Sequence, residues 1–177
     1  DSVRVIVLTG EGKAFSAGAD LEWMQRASEA SIDLSRKDVR RLAEMLWRVD
    51  SCPKPTIARV NGIAFGSGVG LACACDIAVA SKSASFAVTE AKFGMLPATI
   101  GPYVINAIGP RWARMLFITA ERFEADFAAK IGLVHHEVER PHMVDSFSTM
   151  AHTAVLTPSR QTASAVFSDL ASAPAST

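Results

Sequence analysis

The segment VNGIAFGSGVGLACACDIAVAS, Val60–Ser81, decides the fold. Glycines stand at 62, 66, 68 and 70, and an uncharged apolar run continues to Cys75. Glycine loses more backbone entropy on folding than any other residue. A cluster of it therefore marks tight turns or close approach of bare backbone to a ligand. Three uses fit here: holding a nucleotide phosphate, exposing Ser67 as a nucleophile, or presenting backbone N–H groups to a developing negative charge.

Working outward, strands alternate with helices. TIARV before the glycines is a strand, and the apolar stretch after Gly68 is a buried helix ending near Asp76. Upstream, VRVIVLT has the β-branched run of a buried strand. GEGKAFSAGAD is a small-residue loop, with Asp20 placed to cap a helix at LEWMQRA. After the linker SIDLS, Ser35 and Asp38 resemble a capping box. The helix that follows carries Val39, Leu42, Leu46 and Val49 on one buried face, and SCPKP stops it. Downstream, IAVAS and SFAVTE are short strands. GPYVINAIG is a helix ending at Gly109, RWARMLFITA and FEADFAAKIG are two more, and LVHHEV is a last strand. Beyond it the Ser/Ala/Thr-rich text is weakly patterned, and ASAPAST has the look of a frayed end. This alternation implies an α/β layer architecture.

Composition narrows the class. The chain has 177 residues, 49% apolar and 20% charged, which suits one globular domain with a real core. The formal net charge is +0, so no electrostatic case arises for nucleic acid or an anionic membrane. The run Val60–Cys75 is glycine-broken and too short to span a bilayer, and no signal peptide is visible. Cys52, Cys73 and Cys75 are odd in number and lack metal spacing, pointing to reduced core thiols and a cytoplasmic setting. The chain begins abruptly at a strand, which suggests residues missing upstream.

Each use of the glycines meets a test. A dinucleotide fingerprint requires G-x-G-x-x-G, but Gly66, Gly68 and Gly70 are followed by Leu71 where the last glycine would fall. A P-loop requires Gly-Lys-Ser/Thr, and no lysine lies between Pro55 and Ser81. A serine elbow requires G-x-S-x-G, but Phe65 and Val69 flank Ser67 at the outer positions. His135, His136, His142 and His152 leave a triad open, while the plainer role of Ser67 is a small residue chosen for space. The backbone use requires a loop entering a helix, whose first N–H groups are unpaired and sit at the positive end of its dipole. FSAGAD at 15–20 offers a second such loop, and the two together form a more specific signal than either alone.

The stretches GKAFSAGADLEWM, KPTIARVNGIAFGSGVGLACACDIAVAS, FAVTEAKFGMLPATIGPYV and TAERF followed by IGLV resemble the crotonase, or enoyl-CoA hydratase/isomerase, superfamily in order and spacing over residues 3–138. AFSAGADLEWM and LPATIGPYV are most similar to its bacterial methylglutaconyl-CoA hydratase branch. The resemblance implies a spiral of ββα units, a core over 1–138 with an acyl-CoA site, and a C-terminal helical segment over 139–177. It implies an acyl-CoA substrate, no separate cofactor, and assembly as a homotrimer or dimer of trimers. Family members are longer, which implies that this chain lacks an upstream strand and helix and C-terminal helices.

By the same resemblance, two peptide N–H groups stabilise a thioester enolate. The first falls on Ala17, with Ala17, Gly18, Ala19 and Asp20 lining the acyl-CoA site. The second falls on Ser67, where most members have glycine. Of two family glutamates, one falls on Gly70, which has no side chain, and the other on Glu90. Without the resemblance, Glu90 reads equally as an exposed strand-end carboxylate. A lone carboxylate suits a proton shuttle, and burial in an apolar pocket would raise its pKa toward acid–base work at neutral pH. The implied function is hydration of an enoyl-CoA. Double-bond isomerisation, favoured by Gly70, and non-catalytic acyl-CoA binding stand beside it.

The remaining candidates have plainer readings. Asp20 is a helix cap, and Asp76 caps or pairs structurally. His135 and His136 alternate across a strand, one facing in and one out, without a metal-spaced partner. Trp23 and Met24 belong to the core or to the acyl wall, and Lys13 to the surface or to a CoA phosphate.

Overall fold

The computed structural model describes residues 2–20 and 31–139. Four parallel strands, β1 (Ile6–Thr9), β3 (Thr56–Val60), β5 (Ile77–Ser81) and β8 (His136–Val138), form one sheet in the order β1-β3-β5-β8. A second sheet has the order β2-β4-β6-β7, from β2 (Ala14–Ser16), β4 (Ile63–Phe65), β6 (Ser85–Ala87) and β7 (Phe123–Glu124). In the second sheet β2, β4 and β6 run parallel and β7 runs antiparallel. Three successive strand pairs thus place their first strand in one sheet and their second in the other, which is the expected spiral.

Helix α1 (Ile32–Asp50) precedes β3, α2 (Ser67–Ala74) follows β4, and α3 (Gly101–Thr119) follows β6. Helix α4 (Ala125–Lys130) lies between β7 and β8. The core draws Leu46 from α1, Val60, Ala64 and Phe86 from the strands, Val69 from α2, and Val104 and Leu116 from α3. Each of the valine, leucine and phenylalanine side chains among these contributes about 1.5–3 kcal/mol on full burial. Phe86 and Phe123 stack across the β6–β7 pair with ring centroids 5.7 Å apart. No helix among the described residues is long and apolar enough to cross a membrane.

Several expectations are corrected. β1 is a sheet edge rather than a buried strand, and its Ile6 and Val7 are about 40% exposed. A cavity of about 450 Å³, lined by Ile6, Leu8, Met45, Val49 and Cys52 among others, separates it from α1. α1 begins four residues early: its cap is Ser31, whose hydroxyl accepts from Leu34 N at 3.4 Å, so the Ser35 box does not form. Val39 lies on the exposed face of α1, and only Leu46 is fully buried there. The loop GEGKAFSAGAD contains β2, SFAVTE is strand only to Ala87, and FEADFAAKIG opens with β7 before α4. The break at Gly109 is as expected. Its backbone (φ 75°, ψ 162°) leaves the helical region just before Pro110, which has no N–H to continue the ladder. The helix expected at LEWMQRA and the segment 140–177 lie outside the described residues.

Candidate active site

The second sheet builds the site at the C-terminal ends of its parallel strands, where ligands meet loops and helix N-termini in α/β folds. Ser16 is in register with Ala64, and Phe65 with Ala87. The chain leaving β2 at Ala17, β4 at Gly66 and β6 at Val88 therefore emerges side by side. Asn61, 8% exposed, fastens the approach to β2: its Oδ1 accepts from Gly10 N at 3.0 Å, and its Nδ2 donates to the carbonyls of Gly12 (3.2 Å) and Ala14 (3.3 Å).

The loops from β2 and β4 touch. A β-carbon added to Gly68 would lie 2.6 Å from the Ser16 carbonyl oxygen and 2.9 Å from Ser16 Cβ. One on Gly18, whose φ is +101°, would lie 3.3 Å from the Phe65 carbonyl oxygen. This contact is only available to backbone without side chains. Gly66 turns the chain from β4 into α2 with φ 50° and ψ −117°, a conformation glycine adopts at little cost. Its N–H donates to the Ala87 carbonyl at 2.9 Å, tying the turn to β6. Val69 and Gly70 are the first residues of α2 to donate back to Gly66 O, at 3.0 and 3.3 Å. The N–H groups of Ser67 and Gly68 thus precede the ladder, at the positive end of α2.

Glu90 stands over this turn as the first residue of a 3₁₀ turn, Glu90–Phe93. Its Oε1 lies 3.6 Å from the point a Gly66 β-carbon would occupy, beside Thr89 Oγ1 at 3.2 Å. Its Oε2 is buried and has no hydrogen-bond partner. Loss of water raises the carboxyl pKa, and a hydrogen bond from its own backbone opposes that rise. Glu90 is therefore not the exposed strand-end carboxylate of its plainer reading but a half-buried one on a turn. A buried oxygen without a partner costs free energy and is ready to meet a ligand proton or water.

Gly70, one helical turn beyond Gly66, faces Ile100. A β-carbon there would fall 2.4 Å from Ile100 Cγ2 and 2.8 Å from its Cβ. Ile100 is fully buried at the N-cap of α3. Cys73 on α2 has its thiol pKa pushed up to about 12 by burial, then by Cys75, so it is no thiolate nucleophile.

Residues 1–173 match the enoyl-CoA hydratase/isomerase family. The chain belongs to that family. Similar relatives are enoyl-CoA hydratase AKT6-1 of Alternaria alternata, 40% identical over 136 residues, and the crotonyl-CoA hydratase of Syntrophomonas wolfei subsp. wolfei, 33% identical over 153. These alignments cover 76% and 85% of this chain, and 43% and 57% of the relatives. The crystal structure of an enoyl-CoA hydratase from Shewanella pealeana ATCC 700345 superposes with a TM-score of 0.81 at 39% identity, over 88% of this chain and 57% of that one. The chain spans about half the length of the curated relatives it matches.

Within this enoyl-CoA hydratase/isomerase chain, the structure brings Ser67 and Glu90 to one turn and packs Gly18 beside it. Ala17, Ala19 and Asp20 lie on the exposed loop after β2, as does Lys13 on the approach to it. Trp23, Met24, His142 and His152 lie outside the described residues. Asp76 pairs structurally: its Oδ2 accepts from Thr56 N and Thr56 Oγ1, both at 2.8 Å. His135 and His136 do not alternate in and out. Both are exposed, because His135 precedes β8 in a turn, where its Nδ1 accepts from Ala78 N at 3.0 Å. Among the described residues no cluster of His, Cys, Asp or Glu could hold a metal ion. Sequence reasoning missed Asn61, Thr89 and Ile100. Asn61 was visible as a lone amide in an apolar run; Ile100 carried no signal.

Proposed function

We propose that this chain carries the catalytic core of an enoyl-CoA hydratase. The observation that supports it most is Glu90 Oε2, buried and unpartnered beside the glycine turn that opens α2. On this reading the thioester oxygen of an acyl-CoA accepts from the N–H groups of Ala17 and Ser67, on the loop Ala17–Asp20 and the head of α2. Glu90 takes a proton from water as the water oxygen bonds to C3. The C2–C3 π pair moves onto the thioester as an enolate, and Glu90 then returns a proton to C2. Donors aimed at such an oxyanion are worth about 10²–10³ in rate each. Coenzyme A is part of the substrate, and the reaction needs no separate cofactor.

The motifs AFSAGADLEWM and LPATIGPYV favour the methylglutaconyl-CoA branch for the acyl group. Exposed apolar side chains, Leu96 and Ile118 foremost, suit a trimer or paired trimers. Three cysteines, odd in number and without metal spacing, suit the cytoplasm. A second reading, double-bond isomerisation, is favoured by Gly70, which supplies no second acid.

Incubation with 2-enoyl-CoA and 3-enoyl-CoA tests the proposal. Hydration removes the conjugated thioester absorbance of the 2-enoyl substrate. A gain of that absorbance from the 3-enoyl substrate alone would establish isomerisation instead, and no change with either would leave an acyl-CoA-binding module.

A further inference from the structure

Gly66 caps α2 and Gly70 N donates to its carbonyl oxygen at 3.3 Å, so the two glycines lie one turn apart at the head of the helix. A side chain covers each. The Glu90 carboxyl covers Gly66, and Ile100 covers Gly70 so closely that even a β-carbon has no room. Both arrive from one short stretch: Met95 N donates to Glu90 O at 3.1 Å, and Gly101 N donates to Pro97 O at 2.7 Å, which sets Ile100 at the head of α3. The space over Gly70 is thus apolar and full.

We propose that Ile100 is a specificity-determining residue: its side chain occupies the space a second acid on α2 would need, and so confines proton transfer in this site to Glu90. This rests on the catalytic reading of Glu90 given above. Either reaction then runs through one carboxyl. In hydration the proton taken from water, as its oxygen bonds to C3, is held by Glu90 and handed to C2. In isomerisation the proton leaves one carbon for Glu90 and returns to another as the π pair shifts. α2 itself has no charged residue, and burial pushes its Cys73 thiol up to about 12. The titratable groups on the adjoining elements are Tyr103 in the first turn of α3, Lys92 in the 3₁₀ turn and Asp20 on the β2 loop.

The test compares Gly70→Glu, Ile100→Ala and the double variant in the full chain, by thermal melting and by the pH profile of kcat/KM on an enoyl-CoA. Gly70→Glu alone is expected to lower Tm by about 2–10 °C through overpacking. The double variant is expected to recover that loss and to gain a second ionisation absent from the parent. A folded double variant that keeps the parent's single ionisation would overturn the proposal. So would Gly70→Glu folding at the parent's Tm. If the double variant does not fold, Gly70→Ala with and without Ile100→Ala replaces it: the alanine at 70 is expected to destabilise only while Ile100 is present, and additive effects would overturn the proposal. That coupling is independent of Glu90, so unchanged turnover in Glu90→Gln would remove the catalytic reading without touching the packing result.

Discussion

Glu90 Oε1 lies 3.6 Å from the place where a β-carbon on Gly66 would stand, and that glycine is held at φ 50°, ψ −117°. The carboxyl and the turn into α2 are therefore one unit: the glycine leaves the space that the acid occupies.

Gly66→Ala should disturb both. The substituted residue is strained in this conformation by about 1–3 kcal/mol, and its methyl group presses on Thr89 Oγ1. A lower melting temperature together with reduced turnover is expected. A variant as stable and as active as the parent would show that the turn relaxes without cost.

Burial raises the Glu90 pKa from its ordinary value. The folded chain then holds this proton more tightly than the unfolded chain. The resulting stability is fully present below the unfolded pKa and is lost as pH rises through the folded value. Glu90→Gln removes this titration, so its stability relative to the parent should increase from acid to neutral pH. Urea midpoints of both proteins in acid and at neutrality measure it, and a difference that does not change with pH would contradict the burial.

Asn61→Ala should loosen the approach to β2. It removes one acceptor and two donors and leaves the Gly10 N–H without its partner, a loss of about 1–3 kcal/mol. Because the loop that follows β2 carries Ala17, KM for an acyl-CoA should rise as well. Denaturant melts and initial rates measure the two effects; wild-type values in both would show that the clamp does not position the loop.

Thr56→Val should be destabilising through Asp76. The hydroxyl donates to Asp76 Oδ2 at 2.8 Å and accepts from Asp76 N at 3.0 Å. A loss of about 1–3 kcal/mol is expected, with kcat unaltered because the pair joins the starts of β3 and β5 away from Glu90. A fall in kcat at unchanged stability would contradict that placement.

The ordering of the elements was legible because each has a local cause. The glycines forced a turn before α2, and Gly109–Pro110 broke the long helix where the chain has no N–H to give. The acid was legible only by resemblance, since nothing in SFAVTE says that Glu90 leaves the strand for a 3₁₀ turn. Burial was less legible. The β-branched pattern of VRVIVLT is the same for a covered strand and a sheet edge, and neighbours decide between them. Ser31 prevailed over Ser35 as a cap because its hydroxyl reaches Leu34 N, a competition that spacing alone does not rank. Ile100 was hidden for a further reason: its importance lies in the atoms missing from Gly70, thirty positions away.

Turnover and acyl-CoA affinity of Glu90→Gln, measured side by side with the parent, test the central claim most directly. The amide keeps the size of the side chain and cannot carry the proton. Turnover should fall by about 10²–10⁴-fold while acyl-CoA binding persists. Near-normal turnover would contradict the account and assign the proton transfer to another group.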